Sequence, residues 1–247
     1  MKGAVPAVDV FIRSYHRDRA WLALALRAIA HYLHGHRRVV VVMPRTSRER
    51  IGDLAADAGP DATFNFCTDV ADDYLGQQLT KLHADCWTDA EVILHVDSDQ
   101  LFLAPCDVRE RLFDDTRLRI DHACDGQRPG DDGWLRCAPE FFGPDFAPAR
   151  GRDLTGPPPL AMPRQVYKGL RDYCQRRHGM SLADYAARLG ADRFCEFSLL
   201  RGYALLFAPD AFTWVEHNPL PECRTFWSRR DTPAGIAAQL PAALQAP

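Results

Sequence analysis

The chain has 247 residues, 47% of them hydrophobic, and a formal net charge of -3 at neutral pH. That length suits one α/β domain, or one domain with an elaborated C-terminal half, and is enough to bury a substantial core. The slightly acidic balance argues against an electrostatic grip on nucleic acid, which needs a concentrated basic face. The eight cysteines include no Cys-x-x-Cys pair, so a zinc ribbon and a disulfide scaffold are both poorly supported and reduced, cytoplasmic thiols are expected. With no signal-like h-region and no run near the ~20 apolar residues of a bilayer span, the expected membrane contact is at most peripheral.

Ala7 to Ser14 reads as the first strand, apolar except at Asp9 and its end. After Tyr15-His16-Arg17-Asp18, the apolar positions Trp21, Leu22, Ala25, Ala28, Ile29, Tyr32 and Leu33 recur at steps of three and four. This predicts an amphipathic helix capped by Asp18. Arg38 to Pro44 is a β-branched second strand ended by proline, and the strand, helix, strand order predicts adjacent parallel strands. Ser47 to Ala58 suits a further helix, broken by Gly59-Pro60-Asp61, and Thr63 to Cys67 reads as a short third strand. No glycine-rich phosphate loop is present, so a Rossmann dinucleotide site and a Walker site are poorly supported.

The centre of the chain is Glu91 to Leu103, an apolar run that carries two carboxylates one residue apart, Asp97 and Asp99. Short Val, Ile and Leu runs flanked by polar segments read as buried strands of a parallel or mixed sheet. In such sheets ligands bind beyond the carboxyl ends of the strands, which puts both aspartates at the mouth of a cleft. Two unpaired carboxylates there repel each other, and a hard divalent cation, itself able to hold a diphosphate, is the usual relief. The competing readings are a turn capped by Asp side chains, a solvated acidic loop, and the Asp-x-Asp of haloacid-dehalogenase-like phosphatases. That phosphatase motif sits near the N-terminus and continues with Thr or Val, whereas this one is mid-chain and continues Gln100-Leu101-Phe102.

Upstream stands Gln77-Gln78-Leu79-Thr80-Lys81-Leu82-His83, then the strand, then Asp97-Ser98-Asp99-Gln100-Leu101-Phe102-Leu103-Ala104-Pro105. This order resembles nucleotide-sugar glycosyltransferases of the GT-A fold, nearest the glycogenin and lipopolysaccharide galactosyltransferase group, over roughly residues 74 to 113. The resemblance implies a single domain, residues 1–247, with a mixed and mostly parallel sheet flanked by helices. Residues 1–123 would bind the nucleotide sugar and residues 124–247 the acceptor. It implies a Mn²⁺ or Mg²⁺ ion on Asp97 and Asp99, and a loop after the first strand (Arg13, Ser14, Tyr15, Asp18) that receives base and ribose, with Ser98 in the same donor set. Lys81 would face the cleft and compensate the diphosphate or the aspartates, and Gln77 and Gln78 would reach sugar hydroxyls.

Val108 to Phe113 reads as a helix and Leu118 to Ala123 as a strand. Gly126 to Pro163 is dense in Gly, Pro and Asp with Trp134, Phe141, Phe142 and Phe146 interspersed, and its weak periodicity predicts a functional loop or lid. In the resembling enzymes this part binds the acceptor. A helix from about Met162 to His178 and another over Leu182 to Leu189, capped by Ser181, follow. Glu196 lies among apolar and aromatic neighbours, which predicts either a desolvated general base or an ion pair with Arg193 or Arg201. The resembling enzymes bring a late histidine back to the metal, which makes His217 the candidate here, although their His-x-x-Gly-x-x-Lys-Pro-Trp pattern is missing. Arg224 to Arg230 is basic and aromatic, suited to closing over phosphates, and the Ala-, Pro- and Gln-rich tail after Asp231 is expected to fray. The expected function is metal-dependent transfer of a sugar from a nucleoside diphosphate to a hydroxyl of a glycan or lipid-linked saccharide. The alternatives are a non-catalytic nucleotide-sugar-binding module and the phosphatase.

Overall fold

The structure, a computed structural model, describes residues 6–52, 54, 61–121 and 133–245. The N-terminal half runs β1 (Val8–Arg13), α1 (Arg19–Tyr32), β2 (Leu33–His34), β3 (Val39–Pro44), β4 (Ala62–Cys67), α2 (Asp73–Lys81), β5 (Val92–His95) and β6 (Gln100–Phe102). It continues through β7 (Cys106–Asp107), α3 (Val108–Leu112), β8 (Phe113–Asp114) and β9 (Arg117–Asp121). Then come α4 (Gly133–Phe142), β10 (Leu160–Pro163), α5 (Arg164–His178), α6 (Leu182–Leu189), α7 (Glu196–Phe207), β11 (Phe212–Val215), β12 (Cys223–Thr225) and α8 (Ala242–Gln245).

The β-branched runs of the N-terminal half become the interior of one sheet, ordered β10-β5-β1-β3-β4. Every residue of β1, β3 and β5 is buried, as continuous Val, Ile and Leu runs require when both faces are covered. β3 lies parallel beside β1, as strand, helix, strand predicts, and β5 lies parallel on its other side. β10 closes the edge antiparallel, with Leu160 opposite His95, so a strand from the C-terminal half completes the N-terminal sheet. The apolar strand ends at His95, just ahead of the two aspartates, as the sequence reading expects. Gln100–Phe102 leaves for a separate antiparallel pair with β12, and the two aspartates occupy the turn between.

Three expectations are corrected. Within Gly126 to Pro163, residues 126–132 lie outside the described residues. The remainder holds α4, a 3₁₀ stretch from Gly143 to Ala149, and β10. Phe141, Phe142 and Phe146 are core side chains rather than lid residues, because α4 packs on α7 so closely that a Cβ on Gly202 would lie 2.5 Å from the Phe142 ring. The tail after Asp231 also packs: Ile236, Leu240 and Leu244 are buried, and α8 rests on α1. The segment from Ser47 opens as a 3₁₀ helix, Arg45–Arg50; residues 53 and 55–60 of the expected helix, and 122–123 of the expected strand, fall outside the described residues. Ser181 caps α6 as expected, accepting the Asp184 N–H at 3.1 Å. Among the described residues no helix is long and apolar enough to cross a membrane.

At the far end of the sheet from the aspartates, Asp9 is wholly buried inside β1. It accepts from Arg37 at 2.8 and 2.9 Å, from Arg38 at 2.9 Å, and from the Thr88 hydroxyl. Burial alone would raise its pKa, but the hydrogen bonds from Arg37, Thr88 and Arg38 outweigh burial and lower it. One carboxylate therefore pins the entries to β1, β3 and β5. Asp9→Asn is expected to destabilise the protein by about 2 kcal/mol in urea unfolding with an unchanged m-value, a cost held down because both arginines remain partly hydrated.

Candidate active site

The site forms where β1 and β5 end side by side, joined by the Val96 N–H to the Phe11 carbonyl at 3.1 Å. The loops that follow carry Asp18 from one strand, and Asp97, Ser98 and Asp99 from the other. Asp18 stands at the N-cap position of α1, but its side chain makes no capping bond; the Ser98 hydroxyl acts on it instead, opposing the rise in its pKa. Burial, with repulsion from Asp99 and Asp97, pushes its pKa up to about 6. Burial also raises Asp99, helped by Asp97 and opposed by the Ser228 N–H, which donates to Asp99 Oδ2 at 3.0 Å. These three carboxylates line one cleft of about 470 Å³, shared with Tyr15, Tyr74, Gln77, Trp134 and Arg229. A second pocket of about 460 Å³ adjoins it and shares Tyr15, Tyr74, Gln77 and Arg229.

Beneath the cleft, Lys81 at the end of α2 is buried between two acids. Its Nζ is 2.7 Å from Asp97 Oδ1 and 3.2 Å from Glu196 Oε1, and stands 4.7 Å above the Phe197 ring. Burial alone would lower the Lys81 pKa, but the charges of Asp97 and Glu196 outweigh it and raise it. Glu196 opens α7 and is buried. Its partner is Lys81 and neither arginine named from the sequence: Arg193 pairs with Glu140 at 2.8 Å and Arg201 with Asp121 at 3.0 Å.

The remaining sequence-named residues separate into those on the cleft wall and those behind it. Tyr15, Asp18 and Ser98 line the cleft. Arg13 is buried behind it, bonded to Asp73 at 2.6 Å and to the Ser14 carbonyl at 3.0 Å, and Ser14 is buried beside it. Gln77 faces the cleft, whereas Gln78 is buried and donates to the Phe194 carbonyl at 2.5 Å. His217 is exposed, just past β11, whose partner is β9. The structure does not bring it to the cleft lining, nor into any three-residue group with the aspartates.

One contributor was given no role by the sequence. Gln100, buried, accepts the Asp97 N–H at 2.9 Å and donates to Thr225 at 3.0 Å and to the Pro158 carbonyl. No local pattern marks such a residue. Trp227, Ser228, Arg229 and Arg230 line the cleft, within the basic and aromatic stretch Arg224 to Arg230 that the sequence marks as suited to closing over phosphates.

No protein-family model matches the sequence, and no curated protein matches it. Among solved structures, the galactosyltransferase LgtC in complex with donor and acceptor sugar analogs superposes with a TM-score of 0.52. The match covers 84% of this chain and 73% of that one at 11% identity. An active-site mutant of LgtC gives a TM-score of 0.53 at 12% identity, over 84% of this chain and 72% of that one. The fold is the GT-A fold.

GT-A folds imply a divalent cation, and the donor set here is suited to one in a particular mode. Among the described residues no three His, Cys, Asp or Glu side chains form a ready cage. Mg²⁺-like ions are instead held by one or two carboxylates, with water and substrate phosphates completing the shell. Asp97 and Asp99, hard oxygen donors on the wall of an open cleft, fit that mode.

The raised Asp18 pKa has a definite consequence for stability. The folded state ionises this carboxyl near 6 and the unfolded chain near 3.8, so the folded state holds the proton more tightly. Stability from this group is therefore lost as pH rises from about 4 to about 6. Asp18→Asn, melted without divalent cation, is expected to exceed wild type at pH 7 by on the order of 1 kcal/mol once solvent screening is allowed for. The gap should close below about pH 4, where both forms are neutral.

Proposed function

We propose that the protein is a metal-dependent glycosyltransferase that moves a sugar from a nucleoside diphosphate to a hydroxyl of a glycan or lipid-linked saccharide. The observation that carries this reading is the pair Asp97 and Asp99, just beyond the carboxyl end of β5, on the wall of a cleft that runs on into a second pocket. LgtC, crystallised with donor and acceptor sugar analogs, shares the architecture. In this reading residues 1–123 supply most of the donor site and residues 124–247 most of the acceptor site.

The adjoining pocket, walled by Tyr15, Pro44, Val70 and Tyr74, offers flat apolar surface for a base, with Asp73 and Gln77 at hand for ribose hydroxyls. Arg229 and Arg230, which line the same cleft as the carboxylates, attract the diphosphate by charge and offer it planar donors. Asp97 and Asp99 would hold Mn²⁺ or Mg²⁺, which would supply Lewis-acid stabilisation to a departing diphosphate. Lys81 holds Asp97 from behind. Glu196, engaged by Lys81 and off the cleft wall, is not placed to take the acceptor proton, so that proton passes to the donor's own phosphate oxygens. Trp134 and Trp227 offer flat faces to an acceptor sugar.

The test is release of UDP or GDP from a panel of nucleotide sugars in the presence of Mn²⁺. Asp99→Ala is expected to lower turnover by on the order of 100-fold or more with the fold intact. Turnover that needs no cation and survives Asp99→Ala would sink the proposal, as would nucleotide binding with no turnover of any donor.

A further inference from the structure

Behind the cleft one ammonium is shared by two carboxylates of different standing. The Lys81 and Glu196 side chains are 4% and 8% exposed and neither lines the cleft, whereas Asp97, 26% exposed, does. Asp97 Oδ1 is turned to the ammonium, which leaves Oδ2 for a ligand. Glu196 has no other ion-pair partner among the described residues, and the Phe197 ring covers a further side of the ammonium.

Building on the transferase reading, we propose that Glu196 is a positioning residue that acts through Lys81 to keep Asp97 negative toward a divalent cation. One positive and two negative charges leave the trio with a single net negative charge, and Asp97 is its only member on the cleft. With Glu196 uncharged, the ammonium is matched by Asp97 alone, and Asp99 is left as the only uncompensated member of the Asp97–Asp99 pair. Burial makes this redistribution matter, because charges in a poorly hydrated interior interact more strongly than at the surface. The geometry acts in the same direction: two acceptors and a ring face hold Nζ behind Asp97, so Oδ1 is fixed and Oδ2 is directed outward.

The measurement is calorimetric titration of the full chain with Mn²⁺ alone, beside far-UV circular dichroism and melting of each variant. Glu196→Gln is expected to weaken Mn²⁺ binding by about tenfold or more, the usual scale for loss of a group supporting a metal ligand. The double variant Lys81→Gln with Glu196→Gln removes one charge of each sign, restores the single net negative charge, and is expected to recover binding toward wild type. A merely structural Glu196 would make the double variant no better than the single. Mn²⁺ binding by Glu196→Gln equal to wild type, or no recovery in the double variant, overturns the proposal. If Glu196→Gln does not fold, Glu196→Asp, which keeps the charge, must bind within about threefold of wild type, and weaker binding overturns it. Wild type that binds Mn²⁺ but transfers no sugar overturns the transferase reading alone, and wild type that binds no Mn²⁺ overturns both.

Discussion

The architecture turns on a buried lysine held between two acids. Lys81 comes from the helix before β5, Asp97 from the turn after that strand, and Glu196 from the start of a helix 115 residues beyond Lys81. Removing either acid's partner from such a site leaves a charge in poorly hydrated surroundings, which is far costlier than losing a surface pair. The ammonium therefore ties the N-terminal sheet to the C-terminal helices at the point where the cleft opens. It also decides which oxygen of Asp97 is spent internally and which is left for a ligand.

The rest of the cleft is built the same way, by the C-terminal half reaching back to the sheet. Asp99 accepts the Phe226 N–H on its carbonyl at 2.8 Å and the Ser228 N–H on its side chain at 3.0 Å. Gln100 binds the Asp97 N–H, the β12 residue Thr225 and the Pro158 carbonyl. The turn that carries the aspartates is thus clamped by backbone and amide groups from two distant segments. The same C-terminal stretch brings Arg229 into the lining of the cleft that holds the carboxylates, so cation-seeking and anion-seeking groups share one cavity. That pairing of charges suits a metal–diphosphate ligand.

Much of this was legible locally. The valine-rich runs, the three-and-four spacing before Tyr32 and the Ser181 cap each depend on near neighbours, and each became the expected element. Asp97 and Asp99 were legible because a polar pair that ends an apolar strand has only a few uses. Asp18 shows the limit of that logic. Its sequence position is that of a cap, but its side chain makes no capping bond; burial, two like charges and Ser98, eighty residues away, act on it instead. Phe141 and Phe142, set in a Gly- and Pro-rich stretch, looked like loop aromatics because nothing nearby in sequence covers them. Their cover is α7 and Tyr173, both distant.

The sequence by itself determined the parallel sheet, the adjacency of its first strands and the presence of an acidic pair beyond the end of β5. Those features follow from periodicity, β-branching and the apolar-to-polar switch, which act over a few residues. Only the tertiary structure decided that Glu196 answers Lys81 instead of an arginine, that His217 is exposed and off the cleft lining, and that the tail packs on α1. Ion pairing and apolar cover act through space between segments whose separation along the chain carries no pattern, so they became definite only when folding brought the partners together.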